Sequence, residues 1–404
     1  MRIEYDIRGL YKKEINEDLM YFLANKLLNY LKKKKLPLEI YLGIDTRKSS
    51  PYLASAFTSK FLEYPKTKVN YLGILPSPIL YYLSIKNKKV GVMITASHLP
   101  SHYNGIKFIL PSGGSWIYKN IPQNLKVKKP TVKISYKPIY QKSIFTEYLY
   151  EIQKRIAIKE KINIKILKSE KSVNYQLFQL IPLVFKNIKV TKINKIKDDS
   201  FHLKSDIDGD RIEIYYNKHL LLPEVLLYII LKLSNYEKVG IPITMHKKIF
   251  DLFPEIKFYF VKTGHSNFKS AYQKYKLDFG MEPSYHFYFF KDFQTETPLF
   301  VLFKVLEYNE KFKDLKDLGK IFYLKRMEIK KKIDFSKIKD NLMKDGFKIK
   351  FFDDFYFYKK IENNYLAINF RQSKTEQNVW RIFIETSEAK HLKNLIKKVK
   401  YLLK

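Results

Sequence analysis

The chain reads as an α/β protein: three mixed α/β-layer units followed by a C-terminal α+β unit. Three observations predict this. Strand-like apolar runs alternate with amphipathic helical stretches as far as about residue 327. Within them, Val90–Ile94 is short, wholly apolar and followed at once by a polar loop, which is the pattern of a buried parallel strand. From about residue 328 the pattern becomes one helix, several strand-like runs and a closing helix.

The chain has 404 residues, enough for more than one domain. The first unit, 1–142, opens with an amphipathic helix over Glu17–Lys34, with Leu19, Phe22, Leu23, Leu27, Tyr30 and Leu31 on one face. A strand Glu39–Ile44, a helix from about Pro51, a strand near Val69–Leu72, a helix from Pro78 and the strand into Ser97 follow. The Lys/Pro-rich stretch Lys126–Lys142 reads as a linker. The second unit spans 143–219. The third, 220–327, begins with a helix Glu224–Leu233 and a strand Lys238–Ile243. The fourth, 328–404, carries helices near Phe335–Lys344 and Glu388–Leu403.

Composition narrows the function. With no cysteine, disulfides, thiolate metal sites and cysteine nucleophiles are excluded. The first residues show no charged-then-apolar leader, and the apolar stretch Leu220–Leu231 is cut by Pro223 and Glu224 and is too short for a bilayer. A soluble, cytoplasmic protein without a membrane partner is expected. The formal charge is +36, but lysine is spread along the chain without an arginine-rich arm or a nucleic-acid motif. Such diffuse charge predicts steering of anionic ligands, not a specific nucleic-acid partner.

Five stretches carry chemistry. Ser97, in the loop after Val90–Ile94, is at the place where open α/β sheets bind ligands. It reads as a turn or cap residue, or as a nucleophile or phosphate carrier with Lys107 beyond it. Asp206, Asp208 and Asp210 alternate and can converge on a hard cation, or form an acidic turn. They are not an EF-hand, since Arg211 and Asn217 stand where that loop needs Gly and Glu. His265, after Gly264, is a base, a donor or simply a helix start. Glu282 and Ser284, two apart, can point the same way and bind vicinal hydroxyls. Arg371 and Ser373, in Arg371-Gln372-Ser373-Lys374-Thr375-Glu376, suit an anion.

Together with Tyr5-Asp6-Ile7-Arg8-Gly9, Tyr103-Asn104-Gly105-Ile106-Lys107 and Gly43–Ser50, these stretches resemble the signature segments of the α-D-phosphohexomutases, in the family's order and over nearly the whole chain. The YDIRG segment, Tyr5–Gly9, and the KTGHS segment, Lys262–Ser266, resemble those of the phosphomannomutase/phosphoglucomutase branch. The chain departs from the family pattern at Leu99 (for Asn), Ser205 (for Phe), Met281 and Tyr285 (for Gly) and Gln377 (for Pro), and has no clear match for a Lys upstream of KTGHS. Bulk at Met281 and Tyr285 is expected to crowd the sugar or alter backbone angles.

The resemblance implies four domains around a central cleft. It implies an isomerase that transfers phosphate reversibly between C1 and C6 of mannose or glucose phosphate through phospho-Ser97 and a bisphosphorylated intermediate. By the same resemblance Ser97, Lys107, Arg8 and His265 are catalytic. Tyr5, His98, Arg211, Lys262, Glu282, Ser284, His286, Arg371, Ser373, Lys374 and Thr375 bind substrate. Ser97, Asp206, Asp208 and Asp210 hold one Mg²⁺, and a hexose 1,6-bisphosphate serves as activator. Gly43–Ser50 supports the serine loop. A monomer or homodimer is expected. Glucosamine phosphate as substrate, and a degraded relative that binds sugar phosphate with little turnover, are the alternatives.

Overall fold

The computed structural model describes residues 1–3, 6–122, 125, 140–167, 172–352, 354–373 and 378–403. Most of the expected linker 126–142 therefore lies outside the described residues, and Lys142 begins the helix Lys142–Gln153.

The strands form four sheets, one six-stranded and three five-stranded. In the first, Glu39–Ile44 lies between Lys68–Ile74 and Val90–Ile94, parallel to both. Beyond Val90–Ile94 the direction reverses: Tyr103–Ile109, Ile7–Leu10 and Arg2–Ile3 follow antiparallel. The sheet is thus mixed, because Tyr103–Ile109 returns through a short loop instead of a crossover helix. Its helices start for local reasons. Asn16 Oδ1 accepts from Leu19 N at 2.9 Å ahead of Glu17–Lys33, and Ser50–Leu62 and Ser77–Lys86 each carry proline in their first turn.

The second and third sheets repeat the switch. Ile162–Leu167 lies between Ile188–Ile193 and Phe201–Ser205, parallel to both, and Phe201–Ser205 then hairpins into Ile212–Tyr216. Lys238–Ile241 lies between Lys257–Phe260 and Phe279–Glu282, parallel to both, and Phe279–Glu282 hairpins into His286–Phe289. The fourth sheet is wholly antiparallel, ordered Tyr323–Lys330, Val379–Thr386, Asn364–Gln372, Phe355–Ile361, Lys348–Phe351. The helices Phe335–Lys344 and Ala389–Leu402 supply apolar residues to its core.

One continuous apolar core contains Leu80, Phe145, Ile164, Leu226, Met281 and Phe300, and so runs through the first three sheets' layers. The fourth sheet has its own core, built on Ile338, Phe357, Ile368, Ile382 and Val399. Among the described residues no helix is long and apolar enough to cross a membrane.

Candidate active site

Ser97 lies in the loop 95–102, between Val90–Ile94 and Tyr103–Ile109. Its φ is 54°, in the left-handed region, and it is 1 % exposed. A buried arginine imposes this conformation. Arg47 Nη2 donates to Ser97 O at 2.8 Å and Leu99 O at 2.6 Å, and Arg47 Nε donates to Tyr103 O at 3.0 Å. Arg47 is itself paired with Asp45, whose Oδ1 accepts from Ser50 Oγ at 2.7 Å. Asn104 Nδ2 donates to Ser49 Oγ at 2.7 Å. The stretch Gly43–Ser50 is therefore the bracket under the loop. Leu99 is held through its backbone carbonyl, an interaction that does not depend on its side chain.

Two further guanidinium groups flank Ser97. Arg8 Nη1 donates to Ala96 O at 3.2 Å, and Asp6 Oδ2 fixes Arg8 through Nε at 2.7 Å and Nη2 at 2.5 Å. Burial opposes the Arg8 charge, but Asp6 outweighs it and keeps the group protonated. Arg8 reaches the loop because its strand crosses Tyr103–Ile109 at Gly105, where an added Cβ would stand 2.3 Å from Ile7 O. On the other side, Arg211 Nη2 lies 3.1 Å from Nδ1 of the exposed His98.

Arg211 closes the loop 206–211, which connects Phe201–Ser205 to Ile212–Tyr216. Gly209 supplies a φ of 76° there. Ser205, the departure from the family's Phe, braces the loop: its Oγ donates to Arg211 O at 2.9 Å and accepts from Asn174 Nδ2 at 2.7 Å. One carboxylate oxygen from each of Asp206, Asp208 and Asp210 lies within 4.8 Å of the others. Asp206 Oδ2, Asp208 Oδ1 and Asp210 Oδ1 are buried with no hydrogen-bond partner among the described residues. Three orphaned carboxylate oxygens converging in a buried loop form the donor set of a hard divalent cation, so these residues fit Mg²⁺.

Of the remaining oxygens, Asp206 Oδ1 accepts from Arg211 N at 3.2 Å, and the other two bind Lys107. Its Nζ donates to Asp208 Oδ2 at 2.7 Å and Asp210 Oδ2 at 3.0 Å, and both Lys107 and Asp208 are buried. Burial works against the Lys107 charge, but Asp208 and Asp210 overcome it and hold the amine well above the usual lysine range. The first residue of the helix Ser77–Lys86 holds Asp208 twice: Ser77 N donates to its backbone O at 2.8 Å, and Ser77 Oγ to its carboxylate Oδ2 at 3.2 Å.

The third sheet contributes from the side. Arg211 Nε donates to His286 Nε2 at 3.3 Å, His286 Nε2 lies 3.4 Å from Asp210 Oδ1, and Ser284 Oγ is 2.9 Å from His286 Nδ1. Glu282 is buried, its Oε1 accepting from Tyr288 OH at 2.7 Å and its Oε2 from Gly264 N at 3.2 Å, so it fastens the loop that presents His265. His265 is the first residue of the helix His265–Tyr275, entered through Gly264 at φ 113°. Burial, reinforced by Lys269 and Lys107, pushes its imidazole well below the usual range and keeps it neutral.

The bulk at Met281 and Tyr285 is accommodated differently at the two positions. Met281 is fully buried in the central core. Tyr285 adopts a left-handed φ of 66°, a conformation that favours glycine, and its hydroxyl donates to Leu221 O at 3.1 Å.

The structure thus brings Arg8, Ser97, His98, Lys107, Asp206, Asp208, Asp210, Arg211, Ser284 and His286 into one linked group, with Glu282 and His265 beside it. Arg371 and Ser373 stand at the end of Asn364–Gln372 in the fourth unit, where Arg371 Nε is 3.7 Å from Asp354 Oδ1 and Ser373 N donates to Val379 O at 2.7 Å. Lys262 is exposed. Tyr5, Lys374 and Thr375 lie outside the described residues. Sequence reasoning passed over Asp6, Ser77, Lys269 and Glu296. Lys269 had a signal in being one helical turn beyond His265; Ser77 and Glu296 had none short of the fold.

Comparison with known proteins agrees with this geometry. Residues 2–123 match the family model for phosphoglucomutase/phosphomannomutase α/β/α domain I, and residues 252–322 that for domain III. A phosphomannomutase of Methanocaldococcus jannaschii is 27 % identical over 99 % of this chain and 96 % of its own. The chain belongs to the α-D-phosphohexomutase superfamily. A phosphoglucosamine mutase of Alkaliphilus metalliredigens is 37 % identical, over 26 % of this chain and 24 % of its own. Among solved structures, a phosphoglucomutase/phosphomannomutase family protein of Burkholderia thailandensis superposes with a TM-score of 0.75 at 16 % identity, covering 99 % of this chain and 96 % of that one. That likeness establishes a shared multi-domain phosphohexomutase fold.

Proposed function

We propose that this phosphohexomutase moves a phosphoryl group between C1 and C6 of mannose or glucose phosphate and carries it on Ser97. The observation that supports this best is the junction around Ser97. Arg8 and Arg211 touch the residues on either side of it, while Lys107 and the three aspartates join the first two sheets beside it.

The free hydroxyl of the sugar attacks the phosphorus of phospho-Ser97. The bond from phosphorus to Ser97 Oγ breaks as the bond to the sugar oxygen forms, and the hydroxyl proton ends on Ser97 Oγ by way of a basic group. The bisphosphorylated sugar then turns, and its other phosphate returns to Ser97. Arg8, Arg211 and Lys107 supply fixed positive charge where the phosphoryl oxygens develop negative charge, which is most of what such a transfer needs. Lys107, held protonated by two carboxylates, fits a charge-stabilising role. His265, kept neutral, fits that of proton acceptor. Mg²⁺ held by Asp206, Asp208, Asp210 and the phosphoserine would draw charge from the phosphoryl group. Glu282, Ser284 and His286 meet the sugar, and Arg371, Ser373, Lys374 and Thr375 hold its second phosphate. The units 1–142, 143–219, 220–327 and 328–404 each provide one of these loops.

The test is a coupled assay with Mg²⁺ and a trace of glucose 1,6-bisphosphate on mannose, glucose and glucosamine 1-phosphates, with wild type and Ser97→Ala. Turnover that disappears in Ser97→Ala supports the phosphoserine route, and the ratio of rates identifies the sugar. Glucosamine is included because the shorter, 37 % identical match is to a phosphoglucosamine mutase. A folded wild type silent on all three sugars overturns the proposal.

A further inference from the structure

The third unit holds a buried ion pair that none of the steps above uses. Lys269 follows His265 by one helical turn on His265–Tyr275, so the two side chains leave the same face. Facing them on the short strand Thr295–Glu296 is Glu296, 1 % exposed. Glu296 Oε1 lies 3.9 Å from Lys269 Nζ and 3.9 Å from His265 Nδ1. Among the described residues neither Lys269 Nζ nor Glu296 Oε1 has a hydrogen-bond partner. The Tyr81 ring covers Lys269 Nζ at 4.6 Å, and Tyr81 sits on the same helix whose Ser77 holds Asp208. Such a pair contributes little net stability, because desolvation offsets its attraction. Its placement against His265 is the informative fact.

A neutral buried imidazole is a weak base unless something stabilises the imidazolium it becomes; an oriented carboxylate does so. We propose that Glu296 is a positioning residue for His265: it accepts the Nδ1–H, leaving the lone pair on Nε2, and Lys269 places a positive charge beside the carboxylate. When the sugar hydroxyl attacks, its proton passes to Nε2. Glu296 balances the resulting charge, and the proton returns from Nε2 to Ser97 Oγ. The gap of 3.9 Å closes by about 1 Å as substrate fills the site, since such hydrogen bonds are commonly long before substrate binds. The other charged or titratable groups acting on this pair are Lys107, Arg8, Asp210 and His286 from the neighbouring loops and strands, with Tyr81 and Tyr288 against it.

The inference rests on the mutase reading for the use of His265, but the first measurement does not. Nitrogen-15 spectra of the imidazoles, with His265→Asn for assignment, report the tautomer in the folded, substrate-free wild type. Nδ1–H with unprotonated Nε2 is expected, and an Nε2–H form overturns the proposal whether or not the enzyme turns over. In Glu296→Gln, kcat should fall about 10- to 100-fold with KM within about threefold. The limb of the pH profile that reports the base should move, and Glu296→Asp should recover most of the rate. A Glu296→Gln protein that melts lower but keeps the wild-type tautomer, kcat and pH profile overturns it as well. If Glu296→Gln does not fold, the wild-type spectrum and Glu296→Asp still decide.

Discussion

At the scale of single residues, Lys107 shows how one side chain serves both fold and chemistry. Its ammonium ties the first sheet to the loop of the second through Asp208 and Asp210. Lys107→Met leaves those buried carboxylates without their ammonium partner, with only the less direct Arg8 and Arg211 to offset them. The expected loss is roughly 3–5 kcal/mol in stability and about 10²- to 10³-fold in kcat. Added Mg²⁺ should raise the melting temperature of the variant more than that of the wild type, since a cation on the orphaned oxygens then replaces the missing ammonium; an equal shift in both counts against the cation site. Met281 makes the opposite case. Restoring the family's glycine there should not raise activity, because the side chain fills the core. Met281→Gly should lower stability by roughly 2–5 kcal/mol in denaturant titrations, with turnover per folded enzyme unchanged. What was legible at this scale follows from sequence distance. Asp206, Asp208 and Asp210 share one loop, so their spacing alone announces a site. Glu296 and Lys269 meet only because an edge strand folds against a helix, and no local pattern marks Glu296.

At the scale of elements, the serine, aspartate and Glu282–His286 loops occupy one topological position. Each joins the last parallel strand of its sheet to the first antiparallel one. Each contains a left-handed residue, Ser97, Gly209 or Tyr285, which lets the chain reverse tightly and present its side chains at the strand ends. The run Val90–Ile94 and the helix Phe335–Lys344 could be read from composition to the residue. The switch from parallel to antiparallel pairing could not, because an apolar run does not reveal which neighbour it pairs with. Gly105 depends on that switch. Its Cα faces Ile7 O and Thr95 O so closely that an added Cβ would stand 2.3 and 2.8 Å from them, both backbone atoms that cannot yield without parting the strands. Gly105→Ala should therefore push Ile7–Leu10 away, displace Arg8 from the Ala96 carbonyl and lose activity together with stability. A variant that keeps full kcat would show that Arg8 does not need its present seat.

At the scale of the whole molecule, the shared core of the first three units and the separate core of the fourth predict where motion occurs. The fourth unit is joined to the third by polar contacts. Arg326 donates to Glu224 through Nη1 at 3.0 Å and Nη2 at 2.5 Å. Lys247 enters a ring of tyrosines, 4.8 Å from Tyr356 and Tyr365 and 5.9 Å from Tyr358, while its backbone N donates to Glu385 Oε2 at 2.9 Å. Such a joint can turn without uncovering an apolar core, as closing Arg371 and Ser373 onto a substrate would require. The joint also titrates. Burial, only partly opposed by Lys247, pushes Glu385 up to about 7, and burial pushes His246 down to about 4. For Glu385 the folded state binds the extra proton, so its contribution to stability is present below the ordinary glutamate range and is lost as pH rises toward 7. For His246 the unfolded state binds the extra proton, so stability is lost as pH falls from the ordinary histidine range toward 4. The two effects oppose each other between roughly pH 4.5 and 6.5, where the unfolded groups titrate, and above that only the Glu385 loss remains. Glu385→Gln should remove that loss: urea unfolding free energy would rise with pH up to about 6.5 and then stay level, on the order of 1–3 kcal/mol above wild type at pH 8. Parallel profiles for the two proteins would mean that Glu385 is ionised at the joint throughout, with Lys247 fully compensating its charge.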